Sequence, residues 1–156
     1  EDILRACKLD EEIMEKVVKS RFPEQSEEEM KAILSWYKDL SLMMKEEQKV
    51  EKGHLQIIQN TLNDLADYHR QLLSNPQENF YMAAYYKALP HIVELRNRAG
   101  EAAKGEIETC FEALYGTLLL RIQKREIGPE TAEALRHIST LIALLAEKYK
   151  NQDIEE

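Results

Sequence analysis

Glu51 and His54, a glutamate and a histidine separated by two residues, are the first pair of side chains that could bind a metal ion together. One turn of a helix would present the carboxylate and the imidazole together, as in carboxylate-bridged di-iron bundles. Such a site needs a second Glu-x-x-His motif, which the sequence lacks, and Gly53 weakens the helix that would hold the pair. We therefore expect Glu51 and a partly exposed His54 at a helix boundary, with no metal and no other cofactor.

His69 is the second candidate, because it lies inside an apolar helical stripe. At about 100° per residue, Leu62, Leu65 and Leu72 fall on the same face as this histidine. An imidazole on a core-facing stripe needs polar partners, which other helices must supply. The residues that could meet it are His91, Glu108, Glu112, Tyr115 and Arg121.

Two interpretations of this polar set remain open. In the favoured one, His69 bonds to a backbone carbonyl or a tyrosine and Arg121 bonds to an acid on a neighbouring helix, so the set stabilises the core. In the other, the set lines a pocket in which His69 and Glu112 exchange protons or bind a small polar ligand. Glu108 and Glu112 lie one turn apart, so their like charges need a partner in either case.

Composition narrows the classes of function. The net charge of −8 argues against a nucleic-acid partner, because binding phosphates requires clustered basic residues. The apolar runs are too short to span a bilayer, and neither a phosphate-binding loop nor a nucleophile elbow occurs. Cys7 and Cys110 are far apart and lie beside apolar residues, which predicts buried, reduced thiols and a cytoplasmic location.

The elements that would position these side chains are helices. Leu, Ala, Glu and Lys dominate, and only five glycines and four prolines occur, which predicts an all-α fold. The first residues should be the end of a truncated helix. Further helices are predicted from Glu11 to near Phe22, over 27–48 behind a capping box of Ser26 and Glu29, and over 54–74, 77–98, 107–122 and 130–150. Together they predict a single-domain antiparallel bundle of five to six helices over residues 1–150, with a frayed tail at 151–156.

Several positions sharpen the expected packing. Trp36 and Phe80 should contribute to the core. Tyr86 points elsewhere; simple packing is the favoured interpretation of its cluster, and a partner interface is the alternative. Pro90 should kink its helix or split it in two. The helix over 107–122 is apolar around much of its circumference, which predicts a central place in the bundle.

Four segments carry a resemblance to a known family: VEKGHLQ at 50–56, AAYYKALPHIVELR at 83–96, IETCFEALYGTLLLRI at 107–122 and ISTLIALLA at 138–146. In this order they resemble an uncharacterised helical family, a domain of unknown function found in Bacteroides-type bacteria. The likeness extends from residue 1 to about 150. It implies a small intracellular helical protein with a further N-terminal helical segment, and it implies no activity and no catalytic residue.

Taken together, these features favour a non-enzymatic cytosolic helical protein that acts through protein–protein contact, with self-association as the first expectation. The alternative is a helical bundle with an internal metal or small polar ligand site, lined by His69 and the five residues named with it. Neither interpretation assigns a catalytic residue.

Overall fold

The computed structural model describes residues 1–152, which fold into α-helices and, within that range, form no strand. The predicted all-α class is therefore confirmed. These residues form seven helices: six longer ones, within the predicted five to six, and a five-residue helix at the position of the predicted truncated first helix. They are α1 (Asp2–Ala6), α2 (Glu11–Arg21), α3 (Glu27–Glu46), α4 (Gln56–Ser74), α5 (Asn79–Ala99), α6 (Glu106–Ile122) and α7 (Pro129–Gln152), with a 3-10 turn at Gly100–Ala102.

Local signals place the helix ends close to the predicted positions. Ser26 accepts a hydrogen bond from the Glu29 backbone N–H, and the Glu29 carboxylate accepts one from the Ser26 N–H, so the capping box forms. Asp10 caps α2 by accepting a bond from the Ile13 N–H at 2.9 Å. Of the expected tail at 151–156, residues 151 and 152 form the end of α7, and the rest lies outside the described residues.

Contacts divide the chain into two compact units, and the first comprises Glu1–Asn60. Its core is built from α1, α2, α3 and the residues that precede α4. Cys7 is buried there as predicted, and so is Met44. The other buried apolar residues of this core are Leu4, Leu9, Met14, Val18, Tyr37 and Leu55.

The second unit begins at Thr61 and contains most of α4 together with α5, α6 and α7. Helices α5 and α7 run antiparallel, because Glu78 pairs with Lys148 at one end and the His91 ring stacks on His137 further along. Cys110 is buried in this core, again as predicted. The remaining buried residues of the core are Leu72, Tyr81, Ala88, Ile92, Ile107, Ile138, Leu141, Ile142 and Leu145.

Three packing expectations need correction or refinement. Trp36 is 57% exposed, because its neighbour Tyr37 takes the buried position on α3 and the next side chain points about 100° away. Phe80 is 89% exposed for the same reason, since Tyr81 is the residue that faces the core. Helix α5 continues through Pro90 from Asn79 to Ala99, so the helix is not split. Among the described helices, none is both long and apolar enough to cross a membrane.

Candidate functional site

His69 lies in the core of the second unit, as its place on the apolar stripe predicted. It is only 4% exposed. Its Nδ1 atom lies 2.6 Å from the hydroxyl oxygen of Tyr81, which is itself fully buried on α5. The imidazole also packs edge-on against the rings of Tyr81 and Tyr85, with centroids 5.7 and 5.1 Å away. Two tyrosines of α5 therefore hold the histidine of α4 in one orientation.

Glu106, the first residue of α6, is the acid that faces His69. Its Oε2 atom lies 3.5 Å from His69 Nε2 and accepts a hydrogen bond of 3.1 Å from the Tyr85 hydroxyl. Its other oxygen lies 4.0 Å from Arg96, whose Nε donates to the Lys104 carbonyl. The network thus joins α4, α5 and α6 and ends at a half-exposed arginine.

The electrostatics favour a neutral imidazole. Burial lowers the pKa of His69, and the nearby Glu106 carboxylate opposes part of that shift. Burial also raises the pKa of Tyr81, so its hydroxyl keeps its proton and donates it to Nδ1. We therefore assign the ring proton to Nε2, which is buried and makes no hydrogen bond to the described residues. Burial, and to a smaller extent the Glu106 carboxylate, raises the pKa of Tyr85 to about 12.

Glu108 and Glu112, the acids expected beside His69, lie elsewhere. Both pair with Lys104, whose Nζ is 2.9 Å from Glu108 and 2.6 Å from Glu112. Hydrogen bonds to Glu112 and then to Glu108 raise the pKa of this lysine. The predicted identity of the acid is thus corrected to Glu106, and a shared lysine relieves the like-charge pair.

The helical spacing of α6 explains why Glu106 is the inward acid. Glu106, Cys110, Ala113 and Thr117 follow one another at intervals of four, three and four residues, so they share one face. Cys110 and Thr117 are buried, and Ala113 packs against the same core. Extending that face back by one turn from Cys110 would have identified the acid from the sequence. The predicted helix begins at residue 107, one residue after Glu106, and this boundary leaves the acid out of the face.

The structure does not bring the other predicted residues to His69. His91 stacks on His137 with ring centroids 5.6 Å apart, and His137 lies 3.8 Å from Glu133. Tyr115 and Arg121 are exposed on α6: Tyr115 lies on a different side of the helix from Cys110, and Arg121 lies in the last turn.

Glu51 and His54, the candidate metal pair of the sequence, also lie apart in the structure. Glu51 is exposed, whereas His54 Nδ1 lies 2.8 Å from a carboxylate oxygen of Glu1. The other oxygen of Glu1 accepts a hydrogen bond from the Leu55 N–H. Across residues 1–152, no group of three or more His, Cys, Asp or Glu side chains is placed to hold a metal ion.

Two surface cavities of the second unit lie outside the His69 network. One, of about 560 Å³, is lined by Asp67, Arg70, Gln71, Ser74 and Asn75. The other, of about 340 Å³, is lined by Val93, Arg96, Asn97, Gly100 and Ala103. Among the residues that line these two cavities, Arg96 also belongs to the network, so it connects the network to a surface cavity.

The outward side of α6 is the second notable feature, and it corrects the prediction of a central helix. Leu118 is 52% exposed and Ile122 is 62% exposed, and Phe111 and Tyr115 are also exposed. These four residues recur at intervals of four, three and four, which places them in one stripe along the helix. We call this stripe the α6 face. Leu119 is exposed beside it.

Comparison with known proteins yields a family and no activity. No curated protein and no solved structure matches the chain. The model of one family matches residues 1–156, and that family is described as a domain of unknown function. This agrees with the resemblance to an uncharacterised family and assigns no role to any residue. Because the match covers the whole sequence, the chain belongs to the DUF4924 family.

Proposed function

We propose that this protein acts through protein–protein contact and that the α6 face is the contact surface. The observation that carries the proposal is the continuous exposed stripe of Phe111, Tyr115, Leu118 and Ile122. Scattered exposed apolar residues are common, but a continuous apolar stripe is typical of an interaction site. The proposal assigns no catalytic role to any residue.

The energetic reason is the burial of apolar surface. Covering a large aliphatic or aromatic side chain stabilises a contact by roughly 1.5–3 kcal/mol when the exposed side chain becomes fully buried. The α6 face offers four such side chains, each already partly buried, so the available gain is a fraction of that value for each. Aromatic anchors such as Phe111 and Tyr115 are also enriched in interfaces.

Photo-crosslinking tests this proposal directly. We would place p-benzoylphenylalanine at Leu118 and, as a matched control, at the exposed polar residue Glu147 of α7. Irradiation in the host cell should produce a discrete crosslinked protein at position 118 and none at 147. The mass of the product tells a second copy of the chain from another protein. If position 118 yields no product beyond that of position 147, the α6 face is not a contact surface.

Binding of a small polar ligand near His69 is a second candidate, favoured by one observation. The Nε2 atom of His69 is buried and makes no hydrogen bond within residues 1–152, and Arg96 connects the network to a surface cavity. A ligand that binds only the folded state raises the melting temperature by mass action. A melting screen of small anions should therefore show a shift that Arg96→Met abolishes. A screen without any such shift would remove this candidate.

We also propose a cytoplasmic location. Cys7 and Cys110 are both free and buried, and burial raises the pKa of Cys110 to about 12, which keeps it as a thiol. Free buried thiols suit a reducing compartment. Fractionation of the host cell tests the location, and recovery of the protein from an oxidising compartment would contradict it.

A further inference from the structure

We propose that the α6 face pairs with the α6 face of a second copy of this chain, with the two helices antiparallel. This inference rests on the proposed function, because it names the partner and the orientation of the same surface. It commits to one geometry, in which the two-fold axis passes level with the midpoint between Gly116 and Thr117. Each residue of the face then meets a residue of the same face on the other copy.

The spacing of the face is symmetric about that midpoint. Phe111 and Ile122 lie equally far from it, and so do Tyr115 and Leu118. In an antiparallel pair, Phe111 of one copy therefore lies level with Ile122 of the other, and Tyr115 lies level with Leu118. The intervals of four, three and four residues are those of a coiled-coil seam, which lets such side chains interdigitate. The face is thus complementary to itself without any rearrangement of the helix.

The charges at the two ends of α6 select the orientation. In the antiparallel pair, Glu112 of one copy lies level with Arg121 of the other, and Glu108 lies level with Arg125. An antiparallel pair sets each acidic end beside the basic end of the other copy, while a parallel pair sets like charges together. Opposed helix dipoles favour the same orientation. Spacing and charge therefore share one centre of symmetry, which an unrelated partner would not require.

The size of the surface limits the strength of the pair. Helix α6 has 17 residues and is about 25 Å long. A single helix pair buries less than the total of about 1,600 Å² that is typical of a stable interface, so it belongs with transient complexes. We therefore expect a dimer that forms reversibly and depends on concentration. Two-fold pairing through one surface is also the commonest symmetry of protein dimers.

Cysteine crosslinking in the full chain tests both the partner and the orientation. Phe111→Cys and Ile122→Cys, carrying tags of different mass, would be mixed under mild oxidation. We expect the disulfide product to contain one copy of each variant, because the two positions lie level only in the antiparallel pair. Wild type is the control, since Cys7 and Cys110 are buried. Circular dichroism checks that both variants fold.

The alternative outcomes separate the two proposals. Disulfides that join Phe111→Cys to itself and Ile122→Cys to itself would show a parallel pair and overturn the orientation. Absence of disulfide at high protein concentration would overturn self-pairing. In that case a heterologous protein crosslinked at position 118 would leave protein contact standing, whereas no crosslink at all would remove both proposals.

Charge reversal gives an independent measurement. Arg121→Glu combined with Arg125→Glu makes both ends of α6 acidic, so the antiparallel pair should weaken on the order of fivefold at low salt. Sedimentation at several concentrations measures the dissociation constant. High salt should remove most of the difference between the variant and wild type, because it screens exposed charges. An unchanged dissociation constant at low salt would contradict the antiparallel arrangement.

Discussion

The hydrogen bond between Tyr81 and His69 provides the sharpest test of the buried network, and Tyr81→Phe is the perturbation. The hydroxyl of Tyr81 lies 2.6 Å from His69 Nδ1, and both side chains are buried. Phenylalanine keeps the ring and its packing, so the variant removes only the hydroxyl. The histidine nitrogen is then left buried without its donor, which costs more than an exposed bond would.

The expected loss of stability has two contributions, the lost hydrogen bond and the histidine nitrogen left unsatisfied. A typical intramolecular hydrogen bond contributes about 1 kcal/mol net, and a buried polar atom left unsatisfied costs about 1–3 kcal/mol. We expect Tyr81→Phe to lower the free energy of unfolding by about 2 kcal/mol. For a chain of this length that corresponds to a fall in melting temperature of roughly 4–8 °C. Tyr86→Phe is the matched control, because Tyr86 is exposed on the same helix, and it should change stability by less than about 0.5 kcal/mol.

Urea unfolding followed by circular dichroism is the appropriate assay. The single tryptophan, Trp36, lies in the first unit, so its fluorescence does not report directly on the second. A double-mutant cycle with His69→Leu isolates the pair, because replacing both partners by apolar groups leaves neither polar atom orphaned at this contact. A coupling energy near zero, or a loss for Tyr81→Phe no larger than that for Tyr86→Phe, would refute the reasoning.

Three further predictions follow from burial and charge. Because burial lowers the pKa of His69 below 6.5, the folded state binds fewer protons than the unfolded state in mild acid. The contribution of His69 to the free energy of unfolding is therefore fully present above pH 6.5. Below that pH it should fall by up to about 1.4 kcal/mol per pH unit until the pH reaches the lowered pKa. His69→Gln should flatten this part of a plot of the urea midpoint against pH. Lys104→Met should cost less than about 1 kcal/mol, and salt should erase the cost, because the lysine and its glutamates are near the surface. A larger loss of stability that salt does not change would show that Lys104 and its glutamates form buried ion pairs. Leu118→Ala should change monomer stability by less than about 0.5 kcal/mol, whereas Leu145→Ala, at a fully buried position, should cost about 2–5 kcal/mol in thermal unfolding. Equal losses for the two leucines would mean that the α6 face is covered within the monomer.

The helices and their ends could be predicted because their signals are local. A capping box, an N-terminal proline and a stripe of apolar residues depend on neighbours within one or two turns. The burial of His69 was predictable for the same reason, since the periodicity of α4 fixes which side chains share a face. Its contacts with Tyr81 and Tyr85 were not, because periodicity describes each helix about its own axis and gives no register between helices. Glu106 differs in this respect, because it shares a helical face with Cys110 whereas Glu112 lies on another side of α6, so the periodicity of α6 could have identified it.

Helix α6 is another element whose packing could not be predicted from its own periodicity, and this case bears on function. An apolar circumference predicted a central helix, but large apolar residues lie on two sides of α6 and only one of these sides is buried. The inward side carries the small residues Thr109, Cys110 and Thr117, which allow neighbouring helices to approach closely, together with the large residues Ile107 and Leu114. The outward side carries the large residues of the α6 face. A helix surrounded only by its own fold would be expected to place its largest apolar residues inward, where burial gains the most. Phe111, Tyr115, Leu118 and Ile122 are exposed instead, which supports our proposal that another copy of the same helix covers the α6 face.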